Sequence, residues 1–256
     1  MKNIISVNKK FMEISPKQLI EIIKEFYSVS GVEIFINCNE EKEIDYLEKL
    51  VFEIKNSNLI LQVHCDIECS LEEQIKYLKK LEQYSNYLNK KIVVTFHSVY
   101  DINKEISINK TKEYMRKIIE NITSDNLILC LENLNNLDKE YRLKKEDLSK
   151  VVENEDLFLT YDMGHELEEF GKINYPDNHI FNKIRNIHIH DSNDGIDHYP
   201  IYNSSINFNI ILSGIKYLKD NNYKYNIVYE YDLYKCSGDT IIDKVKDYLN
   251  SIENIK

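Results

Sequence analysis

LILCLEN, residues 127–133, is an unbroken aliphatic run that stops on a carboxylate, Glu132. A run this short and this apolar reads as a strand buried on both faces, the kind that builds parallel sheets. Its charged end then lies where the burial stops. The same pattern recurs on either side. LILQVHCD (59–66) stops on His64 and IVVTFHS (92–98) on His97. Downstream, LFLTYDMGH (157–165) reaches Asp162, RNIHIHD (185–191) reaches His188, and YNIVYEY (225–231) reaches Glu230. Six runs in succession end on an imidazole or a carboxylate.

Two further runs, Asn3–Val7 and Gly31–Asn37, precede these, so eight strands are expected: those two, Asn58–His64, Lys91–His97, Asn126–Glu132, Leu157–Asp162, Arg185–His190 and Tyr225–Tyr231. Helical patterns lie between them. Ser15-Pro16 supplies a cap and a proline at the first helical position, with Gln18 placed for a capping box. Leu19, Ile22, Ile23 and Phe26 then form one apolar face. Ile44, Leu47, Leu50, Val51 and Ile54 repeat that spacing. Ser70 with Glu73 is a second capping box, ahead of Leu71, Ile75, Leu78, Leu81 and Leu88. Tyr114, Ile118 and Ile119 mark a helix before the fifth strand. Phe208, Ile211, Ile215 and Leu218 mark one before the eighth, and Ile241, Val245, Tyr248, Leu249 and Ile252 close the chain. After Asp162 the periodicity is poor, and the stretch reads as a loop with a short helix. Strand–helix alternation implies parallel pairing through right-handed crossovers. Eight units in 256 residues, close to the ~250 of an eight-stranded β/α barrel, predict an α/β fold: one (β/α)8 TIM-barrel domain over residues 1–256, its parallel sheet closed.

Composition narrows the function. With 43% hydrophobic and 30% charged residues, six Gly and three Pro, the chain has the make-up of an ordinary globular domain without long linkers. A net charge of −10 with no basic cluster argues against a nucleic-acid partner and for a small-molecule substrate. Five cysteines, no leader-like segment and no long apolar run point to thiols in a reduced, cytoplasmic setting without membrane contact. Cys65 and Cys69 beside His64 lack the second cysteine pair a structural zinc site needs.

In a β/α barrel the active site is built at the C-terminal strand ends and the loops that follow. His64, His97, Glu132, Asp162, His188 and Glu230 all fall there, and all are competent metal ligands. Any one of them alone would read as structural; six in phase do not. Mixed imidazole and carboxylate suits zinc, manganese, iron or cobalt, whereas calcium takes oxygen only. Three carboxylates in one mouth repel one another unless a cation sits among them. His165 lies three residues beyond Asp162. His190 shares the strand face of His188, for a substrate or supporting role, while Asp191 points the other way. Asp194, Asp197 and His198 follow in the next loop. His179 reads as a surface residue.

The motifs VHCD, TFHS, CLEN, YDMGH, IHIHDS, DHYPI and VYEY resemble those of the xylose-isomerase-like TIM barrels, from about Ile34 to Tyr231. That superfamily joins sugar isomerases and epimerases with apurinic/apyrimidinic endonucleases. The resemblance implies a shared metal on Glu132, Asp162, His188 and Glu230. Members that cleave phosphodiesters add histidines matching His64, His97 and His165, and an Asp-x-His pair whose histidine matches His198. The residue two before His198 is Ile196, so Asp197 or Asp194 would have to supply that carboxylate.

Two activities follow as expectations. The first is a two- or three-zinc phosphoester or phosphodiester hydrolase in which Glu132 bridges two ions. The second is a sugar or sugar-phosphate isomerase or epimerase using one manganese, magnesium or cobalt ion, with Glu132 and Glu230 moving the proton. In both, Glu132 and Glu230 are the catalytic candidates. A non-catalytic ligand-binding barrel is the third reading, which an intact donor set disfavours. Selectivity is expected from the loops Tyr100–Ile108 and Asn133–Asp147.

Overall fold

The computed structural model describes residues 1–65, 69–135, 140–153, 156–193 and 196–255. Seven barrel strands come first: β1 (Lys2–Val7), β2 (Val29–Ile36), β3 (Ile60–Cys65), β4 (Ile92–His97), β5 (Leu127–Glu132), β6 (Phe158–Asp162) and β7 (Ile184–Ile189). A short antiparallel hairpin, β8 (Asp191–Asn193) and β9 (Ile196–Tyr199), follows, and β10 (Asn226–Tyr229) is the eighth barrel strand. The order β1-β10-β7-β6-β5-β4-β3-β2 closes on itself, every barrel pair parallel, with β1 bonded to both β2 and β10. The expected closed (β/α)8 barrel is therefore present.

Its helices are α1 (Pro16–Ile23), α2 (Glu41–Lys55), α3 (Leu71–Leu88), α4 (Lys104–Ile119), α5 (Lys145–Val152), α6 (Met163–Phe170), α7 (Asn178–Phe181), α8 (Phe208–Asp220) and α9 (Ile241–Glu253). The Ser15 hydroxyl accepts from the Gln18 N–H at the start of α1, and the Ser70–Glu73 capping box forms at the start of α3. Outward strand residues such as Val63, Val94, Leu131 and Ile187 are buried against the helices.

Several inward residues below the mouth are polar. Glu33, Gln62, Thr95, Thr160 and Asn186 are all at most 1% exposed. Gln62 donates to Asn186 (3.2 Å), Asn186 donates to Glu33 (3.0 Å), and the Thr95 and Thr160 hydroxyls meet at 2.8 Å. Strand side chains alternate, so residues two positions on point the same way one layer higher. That step carries Gln62 to His64, Thr95 to His97, Thr160 to Asp162 and Asn186 to His188. The stagger between strands sets the height of each. His64 lies level with Thr95, so His97 sits a layer above it; Asp162 lies level with His188.

Four local features differ from the sequence reading. Helix α4 starts inside the segment read as loop, because the Asn103 side chain accepts from the Glu105 and Ile106 N–H groups and caps it there. Helix α5 has only Leu148, Val151 and Val152 as its apolar stripe, too short to show a period. Helix α6 is regular and begins at once, with Asp162 as its cap. Cys38 and Cys69, 31 residues apart, form a disulfide in place of the expected thiols; Cys65, Cys130 and Cys236 are buried. Among the described residues no helix is long and apolar enough to cross a membrane.

Candidate metal centre

Closure of the sheet brings the six strand-end residues to one rim. Glu132, at the end of β5, lies at its centre. Its Oε2 is 2.9 Å from His64 Nε2 and 3.3 Å from His97 Nε2. Its Oε1 faces the other way, 2.6 Å from His188 Nδ1, which is also 2.9 Å from Glu230 Oε2. One carboxylate thus divides its oxygens between two donor sets. His64, His97 and Glu132 form one set whose donor atoms all lie within 4.8 Å of one another. Glu132, Asp162, His188 and Glu230 form another by the same measure.

Burial makes this arrangement demanding. Asp162 and His188 are fully buried, and Glu132 and His64 nearly so. A buried charge is tolerated only when paired or metal-bound. Burial alone would raise the Glu132 carboxyl, but His188, His64 and His97 outweigh it and hold it well below the usual range. Burial likewise opposes ionised Glu230, and His188 with His198 reverses that. The imidazoles answer in kind. Burial disfavours a charged His188, yet Glu132, Glu33 and Glu230 push it well above its ordinary value. His64 is raised against its own burial by Glu132, and His165 by Asp162 and Glu132. Without a cation the carboxylates favour protons on His64, His165 and His188, whereas burial lowers His97. The donor set fits a divalent metal on a second count: Glu132 Oε1, Asp162 Oδ2, His188 Nδ1, His190 Nε2 and His64 Nδ1 are buried atoms without a well-formed hydrogen bond.

The remaining sequence candidates divide. His165, in the first turn of α6, sits 3.4 Å from Asp162 Oδ2, with Nδ1 2.9 Å from the Asn133 carbonyl. His190 packs with its Nε2 3.5 Å from Asp162 Oδ1. His198, on β9, points Nε2 toward Glu230 Oε2 at 3.7 Å. Asp197 is turned to the outer side of His198, its Oδ1 2.9 Å from Nδ1, and burial notwithstanding that imidazole holds its carboxyl well below the usual range. Asp191 faces away from the rim. Its Oδ1 accepts from the Ser192 N–H and the Asn207 amide, both at 2.8 Å, and so pins the hairpin to the loop before α8. Asp194 lies outside the described residues. His179 is exposed on α7, away from the site.

Three contributors escaped the sequence reading. Glu33, in the middle of β2, places Oε1 2.9 Å from His188 Nε2, which fixes the imidazole from below. Asn186 donates to Glu33. Asn133 accepts from the Asp162 N–H (2.8 Å) and donates to the Asp162 carbonyl (3.0 Å), locking β5 to the start of α6. A lone glutamate inside the apolar run GVEIFI was the one available signal for Glu33.

A cavity of about 250 Å³ opens beside the rim, lined by Asn8, Phe35, His198, Glu230, Asp232 and Lys235 among others. The Lys235 ammonium donates to the Asp197 carbonyl and lies 4.5 Å from the Tyr199 ring centroid. The larger groove, about 630 Å³, is lined by strand beginnings such as Lys91, Phe158 and Arg185, at the other end of the barrel.

Comparison with known proteins supplies context for this geometry. The family model described as xylose isomerase-like TIM barrel matches residues 29–252. Among solved structures, the apo form of 3-keto-D-glucoside 4-epimerase from E. coli superposes with a TM-score of 0.70 at 15% identity, covering 100% of this chain and 98% of that one. A D-tagatose 3-epimerase-like protein gives 0.63 at 19% identity, with the same coverage of 100% and 98%. Endonuclease IV from Thermus thermophilus gives 0.62 at 13%, again covering 100% and 98%. A search of curated proteins finds no match. Identities this low establish the shared fold and leave the reaction open.

Proposed function

Because this chain belongs to the xylose isomerase-like TIM-barrel family, we propose that it is a divalent-metal-dependent hydrolase of a small phosphoester or phosphodiester, sugar-containing substrates included. The observation that carries the reading is the division of Glu132: one oxygen toward His64 and His97, the other toward His188. A carboxylate serving two donor sets suits two neighbouring cations. His64, His97 and Glu132 would hold one, and Glu132, Asp162, His188 and Glu230 the other. The two imidazoles of the first set favour zinc there. When bound, such a pair supplies Lewis acidity toward the phosphoryl group and steadies both entering and leaving oxygens of an in-line displacement.

The chain's own groups do the rest. Glu33 and Asn133 hold His188 and Asp162 in place from behind. Glu230 is the carboxylate of the set that also lines the cavity, so it is placed to hold or pass a proton at a bound substrate. Phe35 offers an apolar wall to the carbon face of a sugar, and Lys235 a cation to an anionic substituent. The cavity's size and the net charge of −10 favour a single small substrate over a nucleic acid.

One observation supports the alternative, a single-metal sugar isomerase or epimerase. The set Glu132, Asp162, His188 and Glu230 is sufficient for one ion by itself, and two of its carboxylates would then exchange the substrate proton. His97→Ala separates the readings. Under the hydrolase reading the variant loses one ion and most phosphoesterase activity toward p-nitrophenyl phosphodiesters and phosphomonoesters. Unchanged metal content by elemental analysis, with solvent deuterium exchange into ketoses, would replace it with the isomerase.

A further inference from the structure

The cavity beside the rim carries the charged side chains of Asp197, Glu230, Asp232 and Lys235 together with His198. Its three carboxylates already have partners inside the protein. Asp197 Oδ1 lies 2.9 Å from His198 Nδ1, and Glu230 Oε2 lies 2.9 Å from His188 Nδ1. Asp232 Oδ1 accepts from the Tyr234 N–H at 3.0 Å and so caps the short 3-10 turn Leu233–Lys235. The ammonium of Lys235 is left without an opposite charge. Its Nζ donates to the Asp197 carbonyl and lies 4.5 Å from the Tyr199 ring centroid, and among the described residues no carboxylate pairs with it. An ammonium has three donors, so two remain for a ligand.

The turn that carries this lysine is fastened to the hairpin at both ends. The Asp232 N–H donates to the His198 carbonyl at 2.8 Å, and Lys235 Nζ donates to the carbonyl of the neighbouring Asp197. Leu233, between them, is buried. The long stem of Lys235 is therefore held in place, and part of the entropy lost on gripping a ligand is lost beforehand. Lysine reads an anion, phosphate included, as a point charge. Lys235 also stands apart from the donor sets. Contacts run outward from Glu132 to His188, then to Glu230, His198 and Asp197, and Lys235 meets only the last of these. Glu230 and Lys235 both line the cavity, so a ligand with one end at Glu230 brings its other end to Lys235.

We propose that Lys235 is the specificity-determining residue of this cavity and reads a second anionic group, a phosphate or a carboxylate, which the reaction leaves intact. The substrate then has two separated functions, one acted on beside Glu132 and one held by the ammonium. A neutral sugar of similar size enters the same cavity but forgoes the charge-assisted hydrogen bond. For a half-exposed lysine that loss is worth about tenfold in affinity, the low end for a hydrogen bond to a charged group. The inference rests on the reading of the mouth as a metal-dependent phosphoester centre and names the end of the substrate that does not react.

The test is calorimetric titration of the zinc-loaded full chain with D-glucose, D-glucose 6-phosphate and D-glucuronate, which share a ring and differ in the group on its exocyclic carbon. Wild type should bind one or both anions about tenfold more tightly than glucose, and the tighter of the two identifies the group that Lys235 reads. Lys235→Met keeps the stem over Tyr199 and should bring the anions level with glucose, while Lys235→Arg should retain the preference. Zinc per chain, measured in all three proteins, should be equal, so that lost metal does not imitate lost charge. Retention of the wild-type preference in Lys235→Met overturns the proposal, and so does a wild type that binds neither anion more tightly than glucose. Should Lys235→Met fail to fold by circular dichroism, Lys235→Gln takes its place. The wild-type preference should also shrink as salt rises, and a preference untouched by salt overturns the proposal as well. If the Lys235-dependent preference persists in a protein that holds no second zinc and cleaves no phosphoester, the hydrolase reading falls and the role of Lys235 stands.

Discussion

Glu33→Gln tests whether the centre is held from beneath. Glu33 is completely buried, its Oε1 2.9 Å from His188 Nε2 and its Oε2 accepting from Asn186 at 3.0 Å. With Nε2 paired to Glu33 and Asn186, His188 presents Nδ1 to Glu132 and Glu230. At an effective dielectric of ~20, a full charge pair at this separation attracts by about 6 kcal/mol. Most of that offsets the desolvation of two buried groups. Loss of a carboxylate that orients a metal-binding imidazole lowers affinity about 10–100-fold, equivalent to about 1.4–2.7 kcal/mol. Glutamine keeps the volume, so no cavity opens, but it removes the charge paired with His188 and turns one of the two oxygens facing His188 and Asn186 into a donor. One poorly satisfied buried donor costs about 1–3 kcal/mol, and Tm should fall by several degrees. The assay is zinc titration of metal-free protein against a chromophoric chelator, run beside thermal unfolding. The expected result is weaker zinc binding at the set containing His188, with a folded protein. Wild-type zinc affinity in a folded Glu33→Gln variant would show that Glu33 merely fills the barrel, and the reasoning would fail.

Other outcomes follow from the same structure. Metal loading should expel protons near neutral pH, because His64, His165, His188 and His198 are all raised by neighbouring carboxylates against the effect of burial. The apparent heat of zinc binding should therefore change with buffer ionisation enthalpy, and affinity should climb with pH toward the raised imidazole values; a buffer-independent heat contradicts this. In the metal-free protein those imidazoles stabilise the fold fully below ~6.5 and lose that contribution as pH rises through their raised values. Glu132 and Glu230, both depressed, contribute above ~4.3 and lose it as acid carries pH through their lowered values. Urea midpoints measured across pH with chelator present should trace both limbs. Gly164→Ala should destabilise by about 1–3 kcal/mol through the His190 clash, read as a fall in Tm. Under non-reducing conditions the native protein should resist thiol reagents, since Cys130 and Cys236 are buried with thiols pushed up to about 12. Unfolded protein should then show three reactive thiols, those of Cys65, Cys130 and Cys236; five would refute the Cys38–Cys69 bridge.

The sequence by itself determined the barrel and its rim. Strands buried on both faces must be apolar, so His64, His97, Glu132, Asp162, His188 and Glu230 stood out where six such runs ended, and the barrel's closure brings those ends together. Period-two alternation also placed His190 on the His188 face. Tertiary structure decided what each group meets. Glu33 lies in mid-strand, and only closure sets it under His188. The stagger between strands, absent from any one strand's pattern, lifts His97 above His64 and lets Glu132 face two ways. The same holds for the Cys38–Cys69 pairing, for Asp197 turning outward from His198, and for the grouping of His190 with His165 and His198. Burial is written locally, in composition and period, whereas a contact between distant residues depends on register, shear and loop path, which the chain settles only when the sheet closes.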